Sequence, residues 1–166
     1  MNLERVNKIL HHDKYKEYLS KILKHEEKRE FCKHDMIHFL DAARITYILN
    51  LENNLGIDKE VIYALGLLHD IGRWKEYEEG VPHNIASCDL SDEILIDSGF
   101  TQNEREQIKN AILNHRNSNE NKDKLENNSL GEIFYRADKL SRSCFSCGNR
   151  EKCNWTDEKK NVNIYY

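Results

Sequence analysis

Residues 61–73 read VIYALGLLHDIGR. Val61, Ile62, Ala64, Leu65, Leu67 and Leu68 leave almost no polar side, and a helix that is apolar nearly all round belongs in the middle of a bundle. Asp58, just ahead, is a good N-cap, and Gly72 suits the turn that ends the run. The run closes on His69-Asp70. An ionisable pair at the end of a buried helix needs a partner, because an unpaired charge there is costly. Adjacent residues in mid-helix point about 100° apart. Near a helix end, where the backbone relaxes, both side chains are expected to reach one ion.

Working outward, the spacing predicts helices on both sides. From Leu3 to about Arg29, Leu3, Val6, Ile9 and Leu10, then Tyr15, Tyr18, Leu19, Ile22 and Leu23, recur at three and four. Asp13 is the expected cap of a second helix in that stretch, and His11, His12 and His25, lying among charges, read as solvated. From Asp35 to Leu55, Ile37, Leu40, Tyr47, Ile48 and Leu51 are expected to form an inward stripe that stops at Gly56. After a polar connection containing Gly80, residues His83 to Ser98 carry Ile85, Ala86, Ile94 and Leu95, and Gly99 ends them. Thr101 and Glu104 form a capping box for the next helix, whose Ile108, Ala111, Ile112 and His115 share a face. Residues 117–128, NSNENKDKLENN, read as a mobile loop and a candidate lid. Ser129 and Glu132 look like a second capping box, followed by the inward face Ile133, Phe134, Ala137, Asp138, Leu140 and Ser141.

The expected fold is therefore all-α, a compact bundle of about six main helices. The 166 residues fit a single domain, with a motif-bearing core at about 34–142 and a polar tail at 143–166. One proline and seven glycines favour long helices over a turn-rich sheet. A net charge of −4 gives no general attraction to nucleic acid or an anionic membrane. No apolar run approaches the roughly 20 residues that span a bilayer, and Met1 to Leu10 lacks the apolar core of a signal peptide. A cytoplasmic location is the expectation; nothing in the sequence specifies an oligomeric state.

Against this frame, His38, His69, Asp70, His83, His115 and Asp138 stand out. Asp138 lies four residues after Phe134, and His115 four after Ala111, so both fall on faces expected to be buried. Imidazole nitrogens and carboxylate oxygens spread over separate helices suit one or two divalent ions, and such an ion makes a nucleophile of water at neutral pH. His34-Asp35 is also a His-Asp dipeptide, but no buried apolar helix precedes it. Asp35 reads as an N-cap, and the pair is set aside.

These residues resemble the HD superfamily of metal-dependent phosphohydrolases. The matching stretches are HFLDAARI around His38, ALGLLHDIGR around His69-Asp70 and YRADKL around Asp138. PHNIAS around His83 and AILNHR around His115 are similar to the extra histidines of dinuclear members. The resemblance implies a helical HD-domain bundle, primary ligands His38, His69, Asp70 and Asp138, and a second metal completed by His83 and His115. It leaves manganese, iron, cobalt, magnesium, nickel and zinc undistinguished.

Phosphoester hydrolysis also needs cations for the developing charge. Arg73 and Arg116, each next to the constellation, are candidates through their planar forks, with Lys75 and Lys139 behind them. Arg73 also suits a helix C-terminus as a plain cation. Asp70 is a candidate for positioning or deprotonating the attacking water. The expected substrate is a small phosphorylated compound, a nucleotide first among them, rather than a nucleic-acid polymer. Two other functions share the scaffold: a di-iron oxygenase, and a catalytically silent binding module.

Five cysteines without an export signal argue against a disulfide framework. Cys88 reads as a small core residue. Cys144-x2-Cys147-x5-Cys153 offers three thiols, and Cys32 is a fourth, six residues before His38 as Cys144 is six after Asp138. If their two helices run antiparallel, both cysteines move about 9 Å the same way along the shared axis and meet. A structural zinc, unligated thiols in a loose tail, and a redox or iron–sulfur role all remain open readings.

Overall fold

A computed structural model describes residues 2–116 and 129–166. The stretch read as a mobile loop and lid, 117–128, lies outside the described residues. The helices are α1 (Glu4–His11), α2 (Asp13–His25), α3 (Met36–Glu52), α4 (Lys59–Leu68), α5 (Arg73–Glu79), α6 (His83–Ser98), α7 (Gln102–Asn114) and α8 (Leu130–Leu140). Short 3-10 turns follow in the tail, and no strand occurs among the described residues. The long members are the expected main helices; α1 and α5 are shorter additions.

Helix α4 is the axis of the fold. It packs on α1, α3 and α7, and Val61, Ile62, Ala64, Leu65, Leu67 and Leu68 are all buried. Asp58 caps it by accepting from the N–H groups of Glu60 and Val61. Gly66 allows α3 to cross closely, since a Cβ there would stand 2.6 Å from Ala43 Cβ and 2.9 Å from the Phe39 carbonyl oxygen. Arg5 ties α1 to this axis. It donates to Glu60 at 2.5 Å and to Glu104 at 2.9 Å, and its guanidinium lies over the Phe100 ring.

Helix α3 runs between α4 and α8. Ile45 and Leu49 pack with Ile133 and Ala137, while His38 near its start meets Ser141 just past the end of α8. The two helices are therefore antiparallel.

Several local expectations are corrected. The inward stripe expected for residues 35–55 holds only in part: Leu40 and Tyr47 pack against the core, but Ile37 is 70% exposed and Leu51 56%, and Ile48 also faces solvent. The buried face carries Phe39, Ala42, Ala43, Ile45, Thr46, Leu49 and Asn50. Two of these are polar and locally satisfied. Thr46 donates to the Ala42 carbonyl, and Asn50 exchanges two hydrogen bonds with the Ile57 backbone. Helix α2 is capped by the His12 side chain, not Asp13, and Ser129 makes no side-chain cap. Ile85 and Leu23 are exposed. The connection after Gly72 contains α5, whose single buried residue, Trp74, stacks on Tyr18 of α2. The Thr101–Glu104 capping box is present in full.

Candidate metal centre

The ends of α4, α7 and α8 and the starts of α3 and α6 converge on one point. His69 is the C-cap of α4 and His115 the C-cap of α7. His38 lies in the first turn of α3, His83 begins α6, and Asp138 lies in the last turn of α8. Asp70 follows in the turn between α4 and α5. That turn is pinned to α6, because the Gly72 N–H donates to Ser87 Oγ at 2.8 Å.

Two compact donor triplets result: His38, His69 and Asp138, and Asp70, His83 and His115. In the first, His38 Nε2 is 3.2 Å from His69 Nε2 and 3.4 Å from Asp138 Oδ1. In the second, His83 Nε2 is 3.2 Å from His115 Nε2 and 3.2 Å from Asp70 Oδ1. His69 and Asp70 thus belong to different triplets, and Asp70 joins them. Its Oδ1 faces His83 and His115, while its Oδ2 lies 3.4 Å from His69 Nε2.

The far side of each ring decides what these atoms are. His69 Nδ1 lies 2.8 Å from the Gly66 carbonyl and His115 Nδ1 2.6 Å from the Ile112 carbonyl. A carbonyl only accepts, so each Nδ1 carries the proton and each Nε2 a lone pair. His83 Nδ1 meets the Glu76 carboxylate at 2.6 Å in the same way. His38 Nδ1 meets Ser141 Oγ, whose own proton goes to the Asp138 carbonyl. Burial pushes His69 down to about 3 and His83 down to about 4, so neither ring is cationic at neutral pH. Imidazole lone pairs and carboxylate oxygens therefore face one another, and Arg73, beside His83 and Asp70, is the proton donor that reaches them from the edge. Asp70 Oδ1, fully buried, accepts no hydrogen bond. Such an arrangement is repulsive unless a cation sits among the donors. Ligand atoms about 2.1 Å from one ion lie roughly 3.0–3.4 Å apart in octahedral or tetrahedral geometry, close to the separations here. The residues fit divalent metal.

Cations surround the carboxylates. Burial opposes ionisation of Asp70, yet attraction to the His69 imidazole, and to Arg73 as the permanent cation beside it, holds its carboxyl well below the usual range. Asp138 is likewise held down against burial, first by Lys139, which donates to it. Arg73 NH1 lies 3.5 Å from Asp70 Oδ1 and 3.2 Å from both ring nitrogens of His83. Arg116 is half-exposed and bound to Glu76, at the rim rather than over the donors. Lys75 faces Glu79 and the Trp74 ring instead.

Setting aside His34-Asp35 holds for one residue only. Asp35 caps α3, accepting from Ile37 and His38. His34, however, reaches the centre, with Nε2 3.7 Å from Asp70 Oδ2 and Nδ1 2.6 Å from Glu26. Glu26 went unnoticed in sequence. It is buried and accepts from the His34 N–H and ring and from the Tyr77 hydroxyl. Burial would raise its pKa, but these bonds hold it at about 2. Glu76 was missed too, although its place one turn after Arg73 gave a usable signal.

A model of the HD domain family matches residues 35–143. An uncharacterized protein of Clostridium beijerinckii (strain ATCC 51743 / NCIMB 8052) is 48% identical over 164 residues, 99% of this chain and 100% of that one. The crystal structure of a predicted HD superfamily hydrolase from an uncultured Thermotogales bacterium is similar with a TM-score of 0.60 at 20% identity, covering 89% of this chain and 81% of that chain. That likeness concerns the fold.

Proposed function

Because the chain belongs to the HD domain family, we propose that it is a metal-dependent phosphohydrolase acting on a small phosphorylated compound, with nucleotides the first class to test. The observation that carries this reading is the pair of donor triplets joined through Asp70. His38, His69 and Asp138 would hold one divalent ion and His83 and His115 a second, with Asp70 shared. When bound, the metal supplies a nucleophilic water at neutral pH and positive charge opposite the phosphoryl oxygens.

The protein's own groups do the rest. Gly66, Ile112, Glu76 and Ser141 fix the four rings through Nδ1, so that each Nε2 carries its lone pair toward the centre, that of His83 being shared with Arg73. Arg73, whose charge Asp70 and Tyr77 maintain against burial, supplies a guanidinium fork for phosphoryl oxygens. Lys139 neutralises the second oxygen of Asp138. His34, oriented by Glu26, offers its Nε2 side to a substrate atom beside Asp70. A cavity of about 280 Å³ adjoins His38 and Ser141, its wall carrying Lys33 and Arg142 as well as Glu30, Asp35 and Asp41. Its size suits a small metabolite rather than a polymer. Among the described residues, no helix is long and apolar enough to cross a membrane.

The test is a phosphate-release screen across phosphorylated metabolites, with manganese, cobalt, iron, magnesium, nickel and zinc, beside elemental analysis. Release that depends on metal and disappears in Asp70→Ala supports the reading. Oxygen uptake by a di-iron protein without phosphate release overturns it.

A further inference from the structure

We infer that Cys32, Cys144, Cys147 and Cys153 form a second, separate metal site that holds one structural zinc and fastens the C-terminal segment to the loop ahead of α3. The topology carries the inference. Because α3 and α8 are antiparallel, the residues before α3 and after α8 emerge at the same end of the bundle. Cys32, Cys144 and Cys147 line the same cavity that adjoins His38 and Ser141. Burial and the charges of Cys144, Cys147 and Cys153 all bear on the Cys32 thiol, with Arg142 opposing them, so four sulfurs and a guanidinium share one neighbourhood.

The local backbone suits the role. Cys144–Ser146 is a 3-10 turn in which the Cys147 N–H donates to the Cys144 carbonyl, keeping the two thiols one turn apart. A second such turn, Arg150–Lys152, leads to Cys153, whose N–H donates to Arg150. Asn149, between them, donates to the Glu30 carbonyl at 2.8 Å, and Arg29 donates to the Cys32 carbonyl. The knuckle and the Cys32 loop are therefore already bound to each other. None of the three tail turns contains a buried residue. A segment ordered with so little core of its own is the usual setting for a metal staple.

The sulfurs do not yet share a ligation point: among the described residues, the donor triplets compact enough as they stand are the two at the His/Asp centre. A change of χ1 rotamer moves a cysteine sulfur by roughly 3 Å, and all four cysteines are at least partly accessible. Each would bind as thiolate, its proton passing to solvent. Four thiolates around Zn2+ leave net negative charge, for which Arg142, whose charge already bears on the Cys32 thiol, is the counter-ion.

The full chain, expressed with zinc and iron both supplied, decides the matter by elemental analysis. One zinc per chain is expected to survive Asp70→Ala and to be lost in Cys147→Ser and in Cys32→Ser. The cobalt-loaded wild-type chain should show thiolate-to-cobalt charge-transfer absorption, a readout independent of how the variants fold. Release of the tail should appear as faster proteolysis after Ser143. Zinc unchanged in Cys147→Ser, iron with acid-labile sulfide at the cysteines, or disulfides in place of free thiols would each overturn the proposal.

Discussion

Gly72 lies directly against Ser87: its backbone N–H donates to the Ser87 side-chain Oγ at 2.8 Å, and a Cβ on Gly72 would lie 2.3 Å from the Ser87 backbone nitrogen. This contact locks the turn carrying His69 and Asp70 against the helix that begins with His83. Both donor triplets are thus indexed to each other by a glycine that belongs to neither.

Gly72→Ala should therefore cost stability and site geometry together. The added methyl meets backbone and the Ala86 side chain, which cannot swing away as a flexible side-chain end could. A loss of about 1–3 kcal/mol follows from such overpacking. Denaturant unfolding and metal content should both change; an unaltered midpoint with full metal would show that α6 moves aside freely.

The shared carboxylate and its outer partners should separate by metal count. Asp70→Ala should deplete both ions, His83→Ala only one. Glu76→Gln, which weakens the grip on His83 Nδ1, should cost about 10–100-fold in metal affinity or activity. Elemental analysis of each purified variant reads the first two, and metal titration the third. Equal metal loss in Asp70→Ala and His83→Ala would count against two triplets joined at one residue.

Glu26 should leave a signature in acid. Its pKa falls from 4.5 to about 2 on folding, so the native state binds fewer protons than the unfolded chain in that window. Its contribution is complete above the unfolded pKa and is lost as pH falls from about 4.5 towards 2. Glu26→Gln should flatten this part of the stability curve. Chemical denaturation from pH 6 to pH 2.5, compared between the two chains, checks the sign; parallel curves would exclude it.

Arg5 should act as a stability residue without touching the centre. It bonds Glu60 and Glu104 from a partly buried position and covers Phe100. Arg5→Ala leaves Glu60, Glu104 and the more exposed Asp58 without their shared cation and should cost about 1–3 kcal/mol. Thermal unfolding should fall while metal content of the folded protein stays whole.

Local chemistry made much of this legible. The apolar run of α4 and the capping box at Thr101 are properties of contiguous residues, so they survive without knowledge of neighbours. Helix α3 was misread because it is covered by α4 on one side and α8 on another, and buries Thr46 and Asn50 through bonds to its own or adjacent backbone. A hydropathy pattern counts such residues as outward. Glu26 was hidden for a related reason: it sits in HEEKRE, a run that looks solvated until Tyr77 and His34 close over it.

The residue types that converge at the centre were determined by sequence, since donors on buried helical faces are visible as breaks in an apolar pattern. Their partition was not. That His69 joins His38 and Asp138 while Asp70 turns to His83 and His115 depends on the angle of the turn after Leu68. That angle is held where Gly72, at the head of α5, donates its N–H to the Ser87 hydroxyl of α6, and only tertiary packing brings the α6 backbone so close that no side chain would fit on Gly72.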